Sequence, residues 1–167
     1  ENGMRRYLHL STGNYNSVTS RIYTDFGLFT ANQDYCKDAS HLFNYLTGYS
    51  KQRSYRKLLV APLNLRRKLL KMIDDEIRSQ KENNNGYILF KINSIVDEEV
   101  IMRLYQASKA GVKIDLICRG MCRLRPKVKD LSENIEAISI VDKYLEHARV
   151  FIFSNDGIPK VYLSSAD

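Results

Sequence analysis

Apolar and polar positions along the chain change period several times, and each change marks an element. Arg6–Leu10 reads as a strand, with Tyr7, Leu8 and Leu10 supplying β-favouring bulk and Gly13-Asn14 ending it. Ser20–Thr30 alternates as a second strand, in which Gly27 marks a bulge or a close approach. Asn32 or Asp34 then caps a helix carrying Cys36, Ala39, Leu42, Phe43 and Leu46 at three- and four-residue steps, and Gly48 stops it. The polar, basic segment Tyr49–Arg56 is the expected boundary.

Leu58–Ala61 is a short apolar run closed by Pro62 and predicts a buried strand. The helix after it, Leu63–Lys81, keeps Leu65, Leu69, Met72, Ile73 and Ile77 on one stripe, and Asn83–Gly86 ends it in a turn. Tyr87–Ile92 and Lys113–Cys118 predict strands on either side of a helix that starts at the acidic Asp97-Glu-Glu and runs to Ala110. Arg119–Asn134 reads as a loop. Strands follow near 137–142, 147–153 and 160–164, the last two joined by a turn at Asn155-Asp-Gly157.

The order strand–helix–strand–helix–strand from 58 to 118 predicts an α/β chain with a mixed, largely parallel sheet flanked by helices on both faces. At 167 residues it is long enough for one ordinary core, or for one domain and part of another. No run approaches the apolar length that spans a membrane, and Glu1-Asn-Gly-Met-Arg-Arg6 lacks the apolar core of a signal peptide. Cys36, Cys118 and Cys122 form no paired framework, and no histidine stands at ligand spacing from Cys118-x3-Cys122. Reduced, buried thiols in a cytosolic protein fit this pattern, and zinc does not.

Candidate chemistry concentrates near the C-terminus. The net charge of +7, from 26 Lys and Arg against 19 Asp and Glu, favours a polyanionic partner without choosing among nucleic acid, nucleotide and polyphosphate. His147 precedes the apolar strand Val150–Phe153, with Arg149 two residues on and on the same face. A histidine so placed can form a phosphoramidate or move a proton to a leaving phosphate oxygen, and the arginine can hold a phosphoryl group. A core histidine beside an ordinary strand arginine fits the same spacing. Arg119 stands at the C-terminal end of a buried strand, where open α/β sheets collect ligands; Arg123 and Arg125 follow it, and all three could simply face water. Tyr23 could contact a nucleotide or merely be half-buried. His9 and His41 read as structural. An internal echo joins these residues: His9-Leu-Ser-Thr-Gly-Asn14 aligns without a gap to Tyr162-Leu-Ser-Ser-Ala-Asp167, as in an enzyme built from two similar halves.

Leu10-Ser-Thr-Gly-Asn-Tyr-Asn16, Arg21-Ile-Tyr-Thr-Asp25, Leu59-Val-Ala-Pro62, Gly111-Val-Lys-Ile-Asp-Leu-Ile-Cys-Arg-Gly120, Leu131-Ser-Glu-Asn-Ile135 and Ser139-Ile-Val-Asp-Lys-Tyr-Leu-Glu-His147 together resemble bacterial polyphosphate kinase, of the type with phospholipase-D-like catalytic domains. The resemblance runs through essentially the whole chain. It implies that residues 1–55 end a first phospholipase-D-like domain and that 56–167 form most of a second. The implied reaction moves the terminal phosphate of ATP reversibly onto inorganic polyphosphate through a phosphohistidine, with Mg2+. The family's nucleotide-contacting tyrosine falls on Tyr23, its phosphate-contacting arginine on Arg119, and its second active-site histidine on His147. Asn14 matches the polar residue closing the first catalytic motif, and Arg149 replaces the lysine of the wider phospholipase D pattern.

The same resemblance puts the phosphohistidine and the magnesium-contacting arginines outside this chain, so no metal ligand is expected within it and the piece is expected to be inactive alone. It also implies a homo-oligomeric parent in the cytoplasm, membrane-associated at most, without a specific nucleic-acid partner. Two other readings remain: half of a phospholipase-D-like nuclease or phosphodiesterase, and a basic nucleic-acid-binding module. The second lacks a stacking platform and any recognised nucleic-acid motif.

Overall fold

The apolar run Tyr87–Ile92 becomes the central strand of the main sheet in the computed structural model, which describes residues 5–49 and 54–167. In chain order the elements are β1 (Leu8–Ser11), a 3-10 turn (Thr19–Arg21), β2 (Tyr23–Thr24), β3 (Gly27–Thr30), α1 (Gln33–Leu46), α2 (Leu65–Asn83), β4 (Tyr87–Ile92), α3 (Glu98–Lys109), β5 (Lys113–Cys118), β6 (Ile135–Ile138), β7 (Leu145–Glu146), β8 (Arg149–Phe153) and β9 (Lys160–Ser164). Two compact units form: Glu1–Leu10 with Gly27–Lys68, and Ser11–Phe26 with Leu69–Asp167.

The second unit holds a five-stranded sheet in the order β6-β5-β4-β8-β9. The β6-β5 and β5-β4 pairs are parallel, and β4-β8 and β8-β9 are antiparallel. Ile88, Phe90 and Ile92 are buried on one face of β4, as period-2 alternation requires. There they join Leu70 and Ile73 of α2, Leu104 and Ala107 of α3, and Phe151 and Phe153 of β8 in one core. Phe90 meets Phe151 and Phe153 edge-on, with centroids 4.9 and 5.7 Å apart. Each large side chain so buried contributes about 1.5–3 kcal/mol. The opposite face is covered differently. Leu89, Lys91, Ile117 and Val150 face Thr24, Asp25 and Phe26 across a cavity of about 270 Å³.

Helix ends follow the capping rules. Asp97 accepts the Val100 N–H at 3.0 Å to start α3, and Asn32 accepts from Asp34 and Tyr35 to start α1. Gly111 and Gly48, at φ +97° and +75°, take the left-handed positions that end them. The turn at Asn155-Asp-Gly157 also forms, with all three residues at positive φ. It is fastened to α2 through Glu76, whose carboxylate accepts the N–H groups of Asn155 (2.6 Å) and Tyr87 (3.1 Å).

The structure departs from the sequence pattern in four places, one being the strand expected near 137–142, which forms earlier as β6 over Ile135–Ile138. Leu58–Ala61 is not a strand. Its backbone is satisfied locally: Asp38 accepts N–H bonds from Arg56, Lys57 and Leu58, while Asn64 binds the Val60 N–H and C=O. No donor row is left for a ladder. Ser20–Thr30 is not one strand, because Thr12 draws Phe26 aside through two hydrogen bonds of 3.0 Å, leaving β2 and β3 apart. Gly27 does mark a close approach, since a Cβ there would lie 2.9 Å from His9 Nε2. The expected strand over 147–153 is interrupted, with His147 and Ala148 lying between β7 and β8. Of the expected boundary segment, residues 50–53 lie outside the described residues. No helix among the described residues is long and apolar enough to cross a membrane.

Candidate active site

His147 stands where the chain leaves one sheet for another. β7, just before it, pairs in parallel with β2 (Tyr23↔Leu145, Thr24↔Glu146), and β8, just after it, pairs with β4. Two clamps, one of them made by half-buried side chains, hold the flanking backbone. Lys91 Nζ donates to the Ala148 carbonyl at 3.0 Å and pairs with Glu146 at 3.1 Å, and the Ala148 N–H reaches the Thr24 carbonyl at 2.9 Å.

The imidazole is held on both nitrogens. Nδ1 lies 2.9 and 3.0 Å from the two oxygens of Asp25, and Nε2 lies 3.0 Å from Arg149 Nη1. Arg149 only donates, so Nε2 accepts and Nδ1 carries the proton that Asp25 receives. The Tyr23 ring packs on the imidazole with centroids 4.8 Å apart. The side chain of His147 is 10% exposed. Asp25 is itself fixed by the Thr12 hydroxyl, which donates to it at 2.7 Å.

Arg149 also ties the site to the end of β4. Its Nε and Nη2 grip the two oxygens of Asp167, each at 3.2 Å, and Asp167 accepts the Asn93 N–H at 2.9 Å. Burial pushes the Asp167 carboxyl up, but these donors outweigh it and hold the group below the usual carboxylate range. Next to Asn93 the chain meets β5: the Asn93 carbonyl accepts the Gly120 N–H at 2.7 Å, and the Ile92 carbonyl accepts that of Arg119 at 3.2 Å. A Cβ on Gly120 would lie 2.9 Å from that Asn93 oxygen, so the approach needs glycine.

The expected site residues thus fall into groups. Tyr23, His147 and Arg149 are in direct contact. Arg119 is joined to them through backbone bonds at the strand ends, and its Nε is buried with no hydrogen-bond partner among the described residues. Asn14 is exposed, with its carbonyl accepting the Asn16 N–H. His41 lies half-buried on α1, and the His9 ring stacks on Phe29 at 4.3 Å. The pattern assigns no role to Asp25, Asp167, Thr12 or Lys91, all of which build the site. One signal for Asp25 was present. It follows Tyr23 by two residues, the spacing that sets side chains on one face of an extended segment.

As a chemical arrangement, this is a histidine oriented by a carboxylate, beside one buried arginine and near another with an unsatisfied donor. It can hold a phosphate and move one proton at Nε2.

Two family models match the chain: polyphosphate kinase C-terminal domain 1 over residues 1–52, and polyphosphate kinase C-terminal domain 2 over 58–167. The polyphosphate kinase of Staphylococcus saprophyticus is 51% identical over 166 residues, covering 99% of this chain and 23% of that protein. That of Prochlorococcus marinus is 52% identical over 164 residues, covering 98% and 23%. The crystal structure of polyphosphate kinase from Porphyromonas gingivalis superposes with a TM-score of 0.91 at 44% identity, covering 98% of this chain and 27% of that one. The chain therefore spans about a quarter of the length of these relatives, and it has their phospholipase-D-like α/β fold. It belongs to the polyphosphate kinase family.

Proposed function

We propose that these residues form part of a polyphosphate kinase site that reversibly transfers the terminal phosphate of ATP to inorganic polyphosphate through a phosphohistidine. The observation that supports it best is the Asp25–His147–Arg149 array. Asp25 fixes the ring through Nδ1, leaving Nε2 to exchange a proton. In this reading the nucleophilic histidine is supplied by residues outside these 167. It attacks the γ-phosphorus of ATP, and the bond to the bridging oxygen of ADP breaks. Protonated His147 gives its Nε2 proton to that oxygen. In the second half, Nε2 takes a proton from the acceptor phosphate. Arg149 must release Nε2 for either transfer, and Asp167 is placed to hold it aside.

Arg119 is the proposed phosphate ligand, since its unpartnered Nε is a donor that an anion would satisfy. Tyr23 is the proposed nucleotide contact, and Asn14 a polar rim residue. Asp25 is engaged by Thr12 and His147, and Asp167 by Arg149 and Asn93. Magnesium belongs to this reading only as companion of the nucleotide phosphates. A cytoplasmic, homo-oligomeric parent belongs to the same proposal.

Titration calorimetry with ATP tests the assignment. Arg119→Ala should weaken binding roughly tenfold, the worth of a hydrogen bond to a charged group. Equal affinities would remove Arg119 from the site. Labelled ATP should leave no phosphate on histidine, and a stable phosphohistidine at His147 would overturn its acid/base role.

A further inference from the structure

We propose that Arg123 and Arg125 form a rail for the linear polyphosphate chain, leading away from Arg119. This rests on the function proposed above and adds where the polymer runs.

The segment after Arg119 is extended and pinned. The Ile95 N–H reaches the Met121 carbonyl at 2.8 Å, the Arg123 N–H reaches the Ile95 carbonyl at 3.0 Å, and Ile95 and Cys122 form a parallel bridge. The Arg125 N–H donates to the Tyr105 hydroxyl at 2.9 Å, and its carbonyl accepts from Ser132 Oγ at 2.6 Å. Leu124 is 3% exposed and anchors the segment in the core. Its neighbours Arg123 and Arg125 therefore project to the other side, and both are exposed. At two residues' spacing on an extended backbone, their Cα atoms stand about 7 Å apart.

Ion pairing is consistent with this, although other surface cations such as Lys81, Lys109 and Lys160 also make no ion pair among the described residues. Lys71 and Arg78 are paired with Asp75, Arg103 with Asp74, Lys91 with Glu146, and Lys127 with Glu136. Arg119, Arg123 and Arg125 make no ion pair among the described residues. Three uncompensated cations thus follow one another along a fixed backbone. A flexible loop would lose ordering entropy on binding a polyanion, and this one is already ordered. Arg119 meets a short phosphate group, whereas only a polymer extends along Arg123 and Arg125. Each added contact releases counterions, so affinity should rise with chain length and fall with salt.

The test compares ATP, tripolyphosphate and long-chain polyphosphate on the protein and on an Arg123→Gln/Arg125→Gln variant, with far-UV circular dichroism confirming the fold. The rail predicts a loss of roughly tenfold in long-chain affinity and a salt slope shallower by about 2. ATP and tripolyphosphate affinity should be unchanged. Lys71→Gln/Arg78→Gln, which removes the same charge from paired positions, should bind the polymer as the parent does. Unchanged polymer affinity in the first variant overturns the rail, as does an equal loss in the second or an equal loss for ATP. Single-stranded DNA binding with the same arginine dependence would reassign the rail to nucleic acid. Failure of the parent protein to bind ATP or any polyphosphate strikes the functional reading itself. Retained ATP binding with rail-insensitive polymer binding strikes the rail alone.

Discussion

His147 Nδ1 lies 2.9 Å from Asp25 Oδ1, across a separation of 122 residues. This bond, with Arg149 donating to Nε2, selects one tautomer of the ring. Asp25→Ala should release that selection. Nitrogen-15 NMR of the imidazole is expected to show a mixture of tautomers in the variant and a single Nδ1–H form in the parent. An unchanged spectrum would remove Asp25 from control of the ring.

Gly13 makes the same point without touching the histidine. A Cβ on it would lie 2.5 Å from Asp25 Oδ2 and 2.7 Å from Asp25 Cγ, so Gly13→Ala has to displace the carboxylate. Overpacking of this kind costs about 1–3 kcal/mol. The variant should unfold at lower urea and reproduce the mixed imidazole spectrum. Lower stability with a parent-like spectrum would mean that Asp25 has adjusted without moving the ring.

Two carboxylates should give opposite pH signatures. Burial raises Glu76 above its ordinary value of 4.5, against the N–H bonds from Asn155 and Tyr87. A raised carboxyl contributes stability that is present at low pH and lost as pH rises past about 4.5 through the folded pKa. Asp167 is lowered from 3.8, so its contribution is present above that value and lost as pH falls. Urea titrations from acid to neutral pH should therefore show Glu76→Gln gaining on the parent as pH rises. A pH-independent offset of about 1–3 kcal/mol is expected beneath that trend, because the amide cannot accept both N–H bonds. Asp167→Asn should fall behind the parent by about 1–2 kcal/mol at neutral pH and converge with it in acid. Parallel curves in either case would contradict the assigned shift.

Much of the fold was legible because its elements are locally consistent. Tyr87–Ile92 and Lys113–Cys118 match the observed β4 and β5, where alternation and flanking glycines agree. Where the pattern misled, a side chain had taken over backbone work. Asp38 captures three N–H groups at Arg56–Leu58, and Thr12 captures Phe26; neither is visible in a hydrophobic period. Of the candidate residues that the pattern singles out, the fold brings Tyr23, His147 and Arg149 into contact and sets Arg119 at a neighbouring strand end. Asp25 and Asp167 were harder to assign, because each is given its partner by tertiary folding. Asp25 meets His147 only once β2 has paired with β7, and Asp167 meets Asn93 only at the end of β4.

The gap between β7 and β8 has a kinetic consequence. The ring of His147 is set by strands recruited from far away in the sequence: residues 23–24 on one side and 88–91 on the other. Contacts of that range close late, after the local β4–α3–β5 unit has formed, since loop entropy must be overcome first. Such late contacts are also the first to open locally. Amide exchange should find Leu145–Ala148 opening well before Ile88–Phe90. The array around the imidazole would then come apart in a chain whose main sheet is still intact.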